Sequence, residues 1–158
     1  MKYRSIAFIT LLGLNLSAVH AQDPHASHHA PASDKRVVLE LSPAERVMIL
    51  EEMRMFLSGV QKMTGALAQQ DMPAVAAAAR VLGQKMAHEV PPALRAKLPL
   101  EFRQLGSSVH RDFDQIALDA DSLKDVSYSL TQLSATLQKC VACHATYQIQ
   151  VPLHSLGH

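Results

Sequence analysis

Tryptophan is absent from the 158 residues, aromatic side chains make up only 4% of them, and there are two cysteines. Two cysteines cannot build the multi-bridge framework of a small secreted domain. With no third cysteine, and no second ligand pair at matching spacing, they do not complete a zinc site either. An excess of one charge is also missing. Fifteen lysines and arginines face fourteen aspartates and glutamates, a balance that argues against a nucleic-acid partner, which demands a basic patch. No apolar run reaches the roughly 20 residues of a comfortable membrane span. No nucleophile, base and orienting group stand together as a catalytic constellation, so the chain is not read as an enzyme. What is abundant is alanine, leucine, glutamine and methionine, a mixture that favours helix.

The first 21 residues read as a cleavable secretory signal. Lys2 and Arg4 form a positive start, Ile6 to Leu16 a short apolar stretch, and Val19-His20-Ala21 a small-residue cleavage site. Export then delivers the chain to the periplasm, and cleavage leaves no membrane span. Of the 158 residues, 137 remain from Gln22 onward, with 13 basic and 14 acidic side chains. That length suits one domain. Residues 22–40 read as a flexible tail, rich in proline, serine and alanine up to residue 36. His25, His28 and His29 within it are loose metal-ligand candidates, as are His154 and His158 in the C-terminal tail, 152–158. The plainer reading of all five is solvated histidine.

Between the tails, residues 41–151 carry four helical patterns. Ser42-Pro43-Ala44-Glu45 announces helix one with an N-cap, a proline in the first turn and a capping box. Its stripe of Leu50, Met53, Leu57, Val60 and Leu67 has the steps of a bundle seam, and the helix ends near Gln70. Asp71 caps helix two, whose inner side is Val75, Ala78, Ala79, Leu82 and Met86, and which reaches about Ala87. Val90-Pro91-Pro92 stops it, and residues 90–99 form a crossover with one short turn at 93–97. Helix three runs from Pro99 or Leu100 to about Ala120, on Phe102, Leu105, Val109, Phe113, Ile116 and Leu118, with Gly106-Ser107-Ser108 a point of local bending. Helix four carries Leu123, Val126, Leu130, Leu133, Leu137, Cys140, His144 and Tyr147 at steps of 3 and 4, until Pro152 ends it. The fold class expected is all-α, an antiparallel four-helix bundle.

Residues 140–144 read Cys-Val-Ala-Cys-His. C-x-x-C-H is the attachment signature of a c-type haem. On a helix, Cys140, Cys143 and His144 stand at i, i+3 and i+4 and so project from one face. Both sulfurs form thioethers to the haem vinyl groups, and the histidine ligates iron. A thioredoxin-like redox pair is the main competitor, but it requires a preceding strand, and none is indicated. One covalent haem c, attached near the C-terminal end of helix four and lying in the bundle core, is therefore expected.

With the motif at the end of the fourth helix and Tyr147 three residues beyond His144, the chain resembles the class II cytochromes c, the cytochrome c prime group and its low-spin relatives. The resemblance covers roughly residues 40–150. Gln148 replaces the basic residue that often follows the tyrosine, and Val141-Ala142 replaces a pair that commonly contains lysine. The resemblance implies a periplasmic electron carrier that cycles between Fe(II) and Fe(III) and meets redox partner proteins. It also implies pairing of two copies through helix one, a homodimer that the pattern of helix one leaves open. His144 is the proximal ligand it implies.

The family divides over the opposite side of the iron. Low-spin members use a methionine of helix one, and five-coordinate members bind small gases such as nitric oxide or carbon monoxide there. Met48, Met53, Met55 and Met63 lie on this helix. Met53 sits on the seam and is the first choice for distal ligand. Met55 is about 200° of helical rotation away from it, so the two cannot both face the haem. His88 and His110 are the alternative ligands, and Arg46 and Arg54 are candidate partners for the haem propionates.

Overall fold

The computed structural model describes residues 34–150. The signal-like segment 1–21, the tail histidines His25, His28 and His29, and the C-terminal tail with His154 and His158 lie outside the described residues. The elements in order are β1 (Val37–Val38), α1 (Pro43–Ala68), α2 (Met72–Val81), α3 (Gln84–Ala87), α4 (Pro92–Lys97), α5 (Leu100–Ser122), α6 (Val126–Thr146) and β2 (Tyr147–Gln148). Helix dominates, and the described chain is all-α in class.

The helix starts follow the local chemistry. Ser42 Oγ accepts from the Glu45 amide, and Glu45 Oε2 accepts from the Ser42 amide at 2.9 Å, closing the expected capping box. Asp71 Oδ1 accepts from the Ala74 amide at 3.1 Å and caps α2. Between these helices Gln70 takes a left-handed φ of 57°. The amides of Asp71 and Gln70 then reach back to the carbonyls of Ala66 and Leu67, which satisfies two orphaned acceptors at the end of α1.

Apolar packing joins α1 to α2, α2 to α5, and α5 to α6. The main core gathers Met63 and Leu67 of α1, Val75, Ala76 and Ala79 of α2, Phe113, Ile116 and Ala120 of α5, and Leu133 of α6. Alanines on α2 allow close helix approach. Gly59 on α1 does the same, because a Cβ there would stand 2.4 Å from Leu82 Cδ1. A second apolar cluster of Leu39, Ile49, Leu94 and Leu98, with Phe102, Tyr147 and Ile149 against it, lies next to the ends of the fold.

The structure departs from the sequence reading in four places. Helix two is broken at Leu82–Gly83, where Gly83 is extended, and resumes as α3; glycine is a poor helix interior residue, and the break frees the Leu82 carbonyl for another partner. Helix four starts at Val126, capped by Asp125, because Lys124 is left-handed (φ 53°), and Leu123 is left exposed before it. It stops at Thr146, so Tyr147 is a strand residue and not a helical one. Residues 37–40 are not tail. Val37–Val38 pairs in parallel with Tyr147–Gln148, and Leu39 is only 5% exposed, since its side chain supplies the second cluster. Through Gly106–Ser108, meanwhile, α5 is uninterrupted.

Candidate haem-binding cavity

The apolar stripes predicted for helices one and four do not lie wholly in protein core. Leu57 is 72% exposed and Leu50 and Met53 are half-buried, whereas Ile49, Gly59 and Met63 form the buried side of α1. On α6, Leu133 is buried, but Leu137 is exposed and Cys140 half-buried. Leu50, Met53, Leu57 and Val60 of one stripe and Leu137, Cys140 and His144 of the other face a cavity of about 860 Å³. Cofactor pockets commonly hold roughly 300–1,000 Å³. Leu50, Met53, Phe56, Leu57 and Val60 line it from α1, Leu137, Cys140, Cys143 and His144 from α6, and Leu98, Phe102, Leu105 and Val109 from the α4–α5 side.

Cys140, Cys143 and His144 thus open on one cavity, as their i, i+3, i+4 spacing requires. The cysteines are unbridged. Burial pushes both thiols above their ordinary value, and the Asp112 charge adds to this at Cys140. That is opposite to a reactive redox cysteine, whose thiolate is favoured by a helix N-terminus or a neighbouring cation; here the pair sits in the last turns of α6. No group of three or more His, Cys, Asp or Glu is arranged to cage a metal ion among the described residues. The chemistry available is that of two neutral thiols beside one imidazole.

The region after the motif is tied down. Arg36 Nη1 donates to the His144 carbonyl at 3.1 Å, the Leu39 amide to the Gln148 carbonyl at 2.9 Å, and Gln148 Nε2 to the Arg36 carbonyl at 2.9 Å. Tyr147 meets Phe102 edge-on, with ring centroids 5.2 Å apart.

Of the four methionines on α1, Met53 alone lines the cavity. Met48 and Met55 are exposed and Met63 is fully buried in the main core. Arg54 is on the cavity wall, paired with Glu51 at 2.8 Å. Arg46 is not on that wall, and its Nε is buried without a partner; it shares the helical face of Met53 but lies two turns nearer the start of α1. His88 lines the cavity as an exposed residue at the end of α3.

His110 is placed differently from the mixed helix face its neighbours in sequence indicated. It is 4% exposed. Nδ1 lies 2.7 Å from the Leu82 carbonyl, Nε2 lies 3.3 Å from Glu52 Oε1, and the ring centroid is 5.0 Å from that of Phe56. Burial, the largest single influence, lowers its proton affinity; the bonds to Glu52 and Leu82, the Glu52 charge and the Gly83 backbone together outweigh it and leave the imidazole above its ordinary value. With both nitrogens engaged, His110 is a wall residue and not a free ligand.

Several wall residues escaped the sequence reading. Phe56 lies three residues past Met53, on the same side of α1. Arg103 and Arg111, with Arg95 of α4, give the cavity a basic margin. Arg103, Ser107 and Arg111 recur every fourth residue on α5, and Arg111 Nη1 donates to Ser107 Oγ at 2.9 Å; that spacing was the available signal. No helix among the described residues is long and apolar enough to cross a membrane. No family model, curated protein or solved structure matches the chain.

Proposed function

We propose that α1, α2 with α3, α5 and α6 make up a four-helix bundle that carries one covalent haem c and transfers electrons in the periplasm. The observation that carries this reading is the convergence of Cys140, Cys143, His144 and Met53 on one apolar cavity. The residues present fit the group. Two neutral thiols can each add S–H across a vinyl group, the sulfur bonding to one carbon and the hydrogen to the other. The imidazole of His144 and the thioether of Met53 would suit iron, the apolar wall would suit a macrocycle, and Arg54, Arg95, Arg103 and Arg111 would suit two carboxylates.

When bound, haem supplies the one-electron Fe(II)/Fe(III) chemistry. The protein's own work is placement. Cys140 and Cys143 would anchor the group, His144 of α6 and Met53 of α1 would supply its iron ligands, and a methionine ligand would raise the potential. Leu50, Phe56 and Leu57 would keep water from the group on the α1 side, and the open part of the cavity would face redox partners. Partner identity is not needed for the test. Purified holoprotein is denatured and run on a gel; haem must stay on the chain. Its optical spectrum is then recorded with and without carbon monoxide. A far-red charge-transfer band in the oxidised form and slow or absent carbon monoxide binding support this reading. A high-spin ferrous form that takes up carbon monoxide at once removes Met53 and leaves a five-coordinate gas-binding protein. Haem lost on denaturation removes the covalent assignment.

A further inference from the structure

His110 belongs to α5, yet it bonds to two other helices. With Nδ1–H donating to the Leu82 carbonyl at the end of α2, its Nε2 points to Glu52 Oε1 on α1, at 3.3 Å. The same ring lies against Phe56, one turn beyond Glu52, and Phe56 stacks on Phe113 at 5.6 Å. Among the described residues Glu52 is the one acidic side chain on the cavity wall, and it is 17% exposed. A charged group at such a site is retained only with a partner, and this one has His110.

Such a directional contact sharpens the rotation of α1 beside Met53. Apolar burial is non-directional, and α1 is apolar on two sides at this level. Ile49 is buried in the second cluster, while Leu50, Met53 and Leu57 face the cavity. Turning the helix by one residue, about 100°, would exchange Met53 for its neighbour Glu52 or Arg54, and would also unseat Ile49 and, further along α1, Met63 and Leu67. Seven residues on from Glu52, Gly59 is seated against Leu82, roughly 10 Å along the axis. That seat, with Met63 and Leu67 beyond it in the main core, holds the far part of α1, and the Glu52–His110 pair adds a directional contact one residue from Met53. A charge-assisted hydrogen bond has a defined length and angle, and fixing register is the best-attested use of a buried polar pair.

We propose that Glu52 and His110 are positioning residues, which hold α1 in the one rotation that presents Met53 to the cavity opposite the Cys140–His144 face. The inference rests on the reading of Met53 as sixth ligand.

The test uses holoprotein. Glu52→Ala removes the tie and leaves His110 bonded to Leu82, neutral and folded. The far-red band of the oxidised form should fall by half or more, and the affinity of the reduced form for carbon monoxide should rise about tenfold, with far-ultraviolet circular dichroism unchanged. Glu52→Gln keeps a hydrogen bond to Nε2 and should restore most of the band, which mere filling of space would not do. Should Glu52→Ala fail to fold, Glu52→Leu with His110→Phe replaces the pair by an apolar one of similar size and should lose the band in the same way. A folded variant without the tie, whose band and carbon monoxide affinity equal those of the parent, overturns the proposal. Parent protein with no far-red band overturns the Met53 reading and this inference together. Parent with the band, Met53→Ala without it and Glu52→Ala unchanged overturns this inference alone.

Discussion

Met53 and His144 line one cavity from two helices, α1 and α6, that are not among the pairs in extensive contact. The space between them is what a ligand shared by both would occupy. Met53→Ala should therefore abolish the far-red band of the oxidised holoprotein and raise carbon monoxide affinity by at least about tenfold, equivalent to ~1.4 kcal/mol of lost competition. Met55→Ala, at a residue that is 37% exposed and off the cavity wall, should change neither. Carbon monoxide titration of the two variants in parallel is the measurement, and equal behaviour would remove the distinction between them.

Close approach of α1 to α2 depends on one missing methyl group. Adding it at Gly59 drives a Cβ to 2.4–2.9 Å from three atoms of Leu82, which is itself buried in the core. Gly59→Ala should destabilise by about 1–3 kcal/mol through overpacking. Gly65→Ala meets nothing within 4 Å and should stabilise by about 0.5–1 kcal/mol through helix propensity. Urea midpoints of the two variants, moving in opposite directions, would check both.

The starts of α1 and α2 were readable because each is a local event. Ser42 with Glu45, Asp71 with Ala74, and the prolines at 91 and 92 act within a turn of themselves. The stripe of Leu50, Met53, Leu57 and then Leu137, Cys140, His144 was readable as apolar, but periodicity reports only that a face avoids water. It does not tell protein core from cavity wall, so the same pattern was assigned to the bundle interior. His110 looked superficial because its partners Glu52 and Leu82 lie 58 and 28 positions away. The pairing of Val37–Val38 with Tyr147–Gln148 is too short to leave any alternation in the sequence, and the helical stripe ran straight through Tyr147.

The segment before α1 also has a measurable role. Leu39 is buried among Ile49, Leu94 and Leu98, so Leu39→Ala should cost about 2–5 kcal/mol. Val37, two residues earlier and about half exposed, should tolerate alanine within roughly 0.5 kcal/mol. Thermal unfolding of both variants would show whether this segment is part of the cooperative unit; equal melting temperatures would say it is not.

Acid sensitivity should reveal the contact between α1 and α4. The Lys97 ammonium, 2.6 Å from Glu45 Oε1, and the Ser42 backbone amide hold the Glu45 carboxyl down from 4.5 to about 2. The unfolded chain binds this proton more readily than the folded one, so stability rises with pH here. The stabilisation is complete above pH 4.5 and is lost as the pH falls through 2. The difference in unfolding free energy between the parent and Glu45→Gln should therefore shrink across that window. A difference that is flat from neutral pH down to 2 would show that Glu45 keeps its ordinary proton affinity.

The pairing of β1 with β2 also sets an order of events. It joins positions about 110 residues apart, the most distant pairing in the described chain, and distant contacts close late because the intervening loop must first be ordered. During synthesis from the N-terminus, Val37 and Val38 have no partner until residues 147 and 148 exist, by which time Cys140 and Cys143 have already been made. Every molecule thus passes through a stage in which the cysteines are present and the clasp beyond them is still open. Closing the clasp ends that stage and ties down the chain that follows the two cysteines.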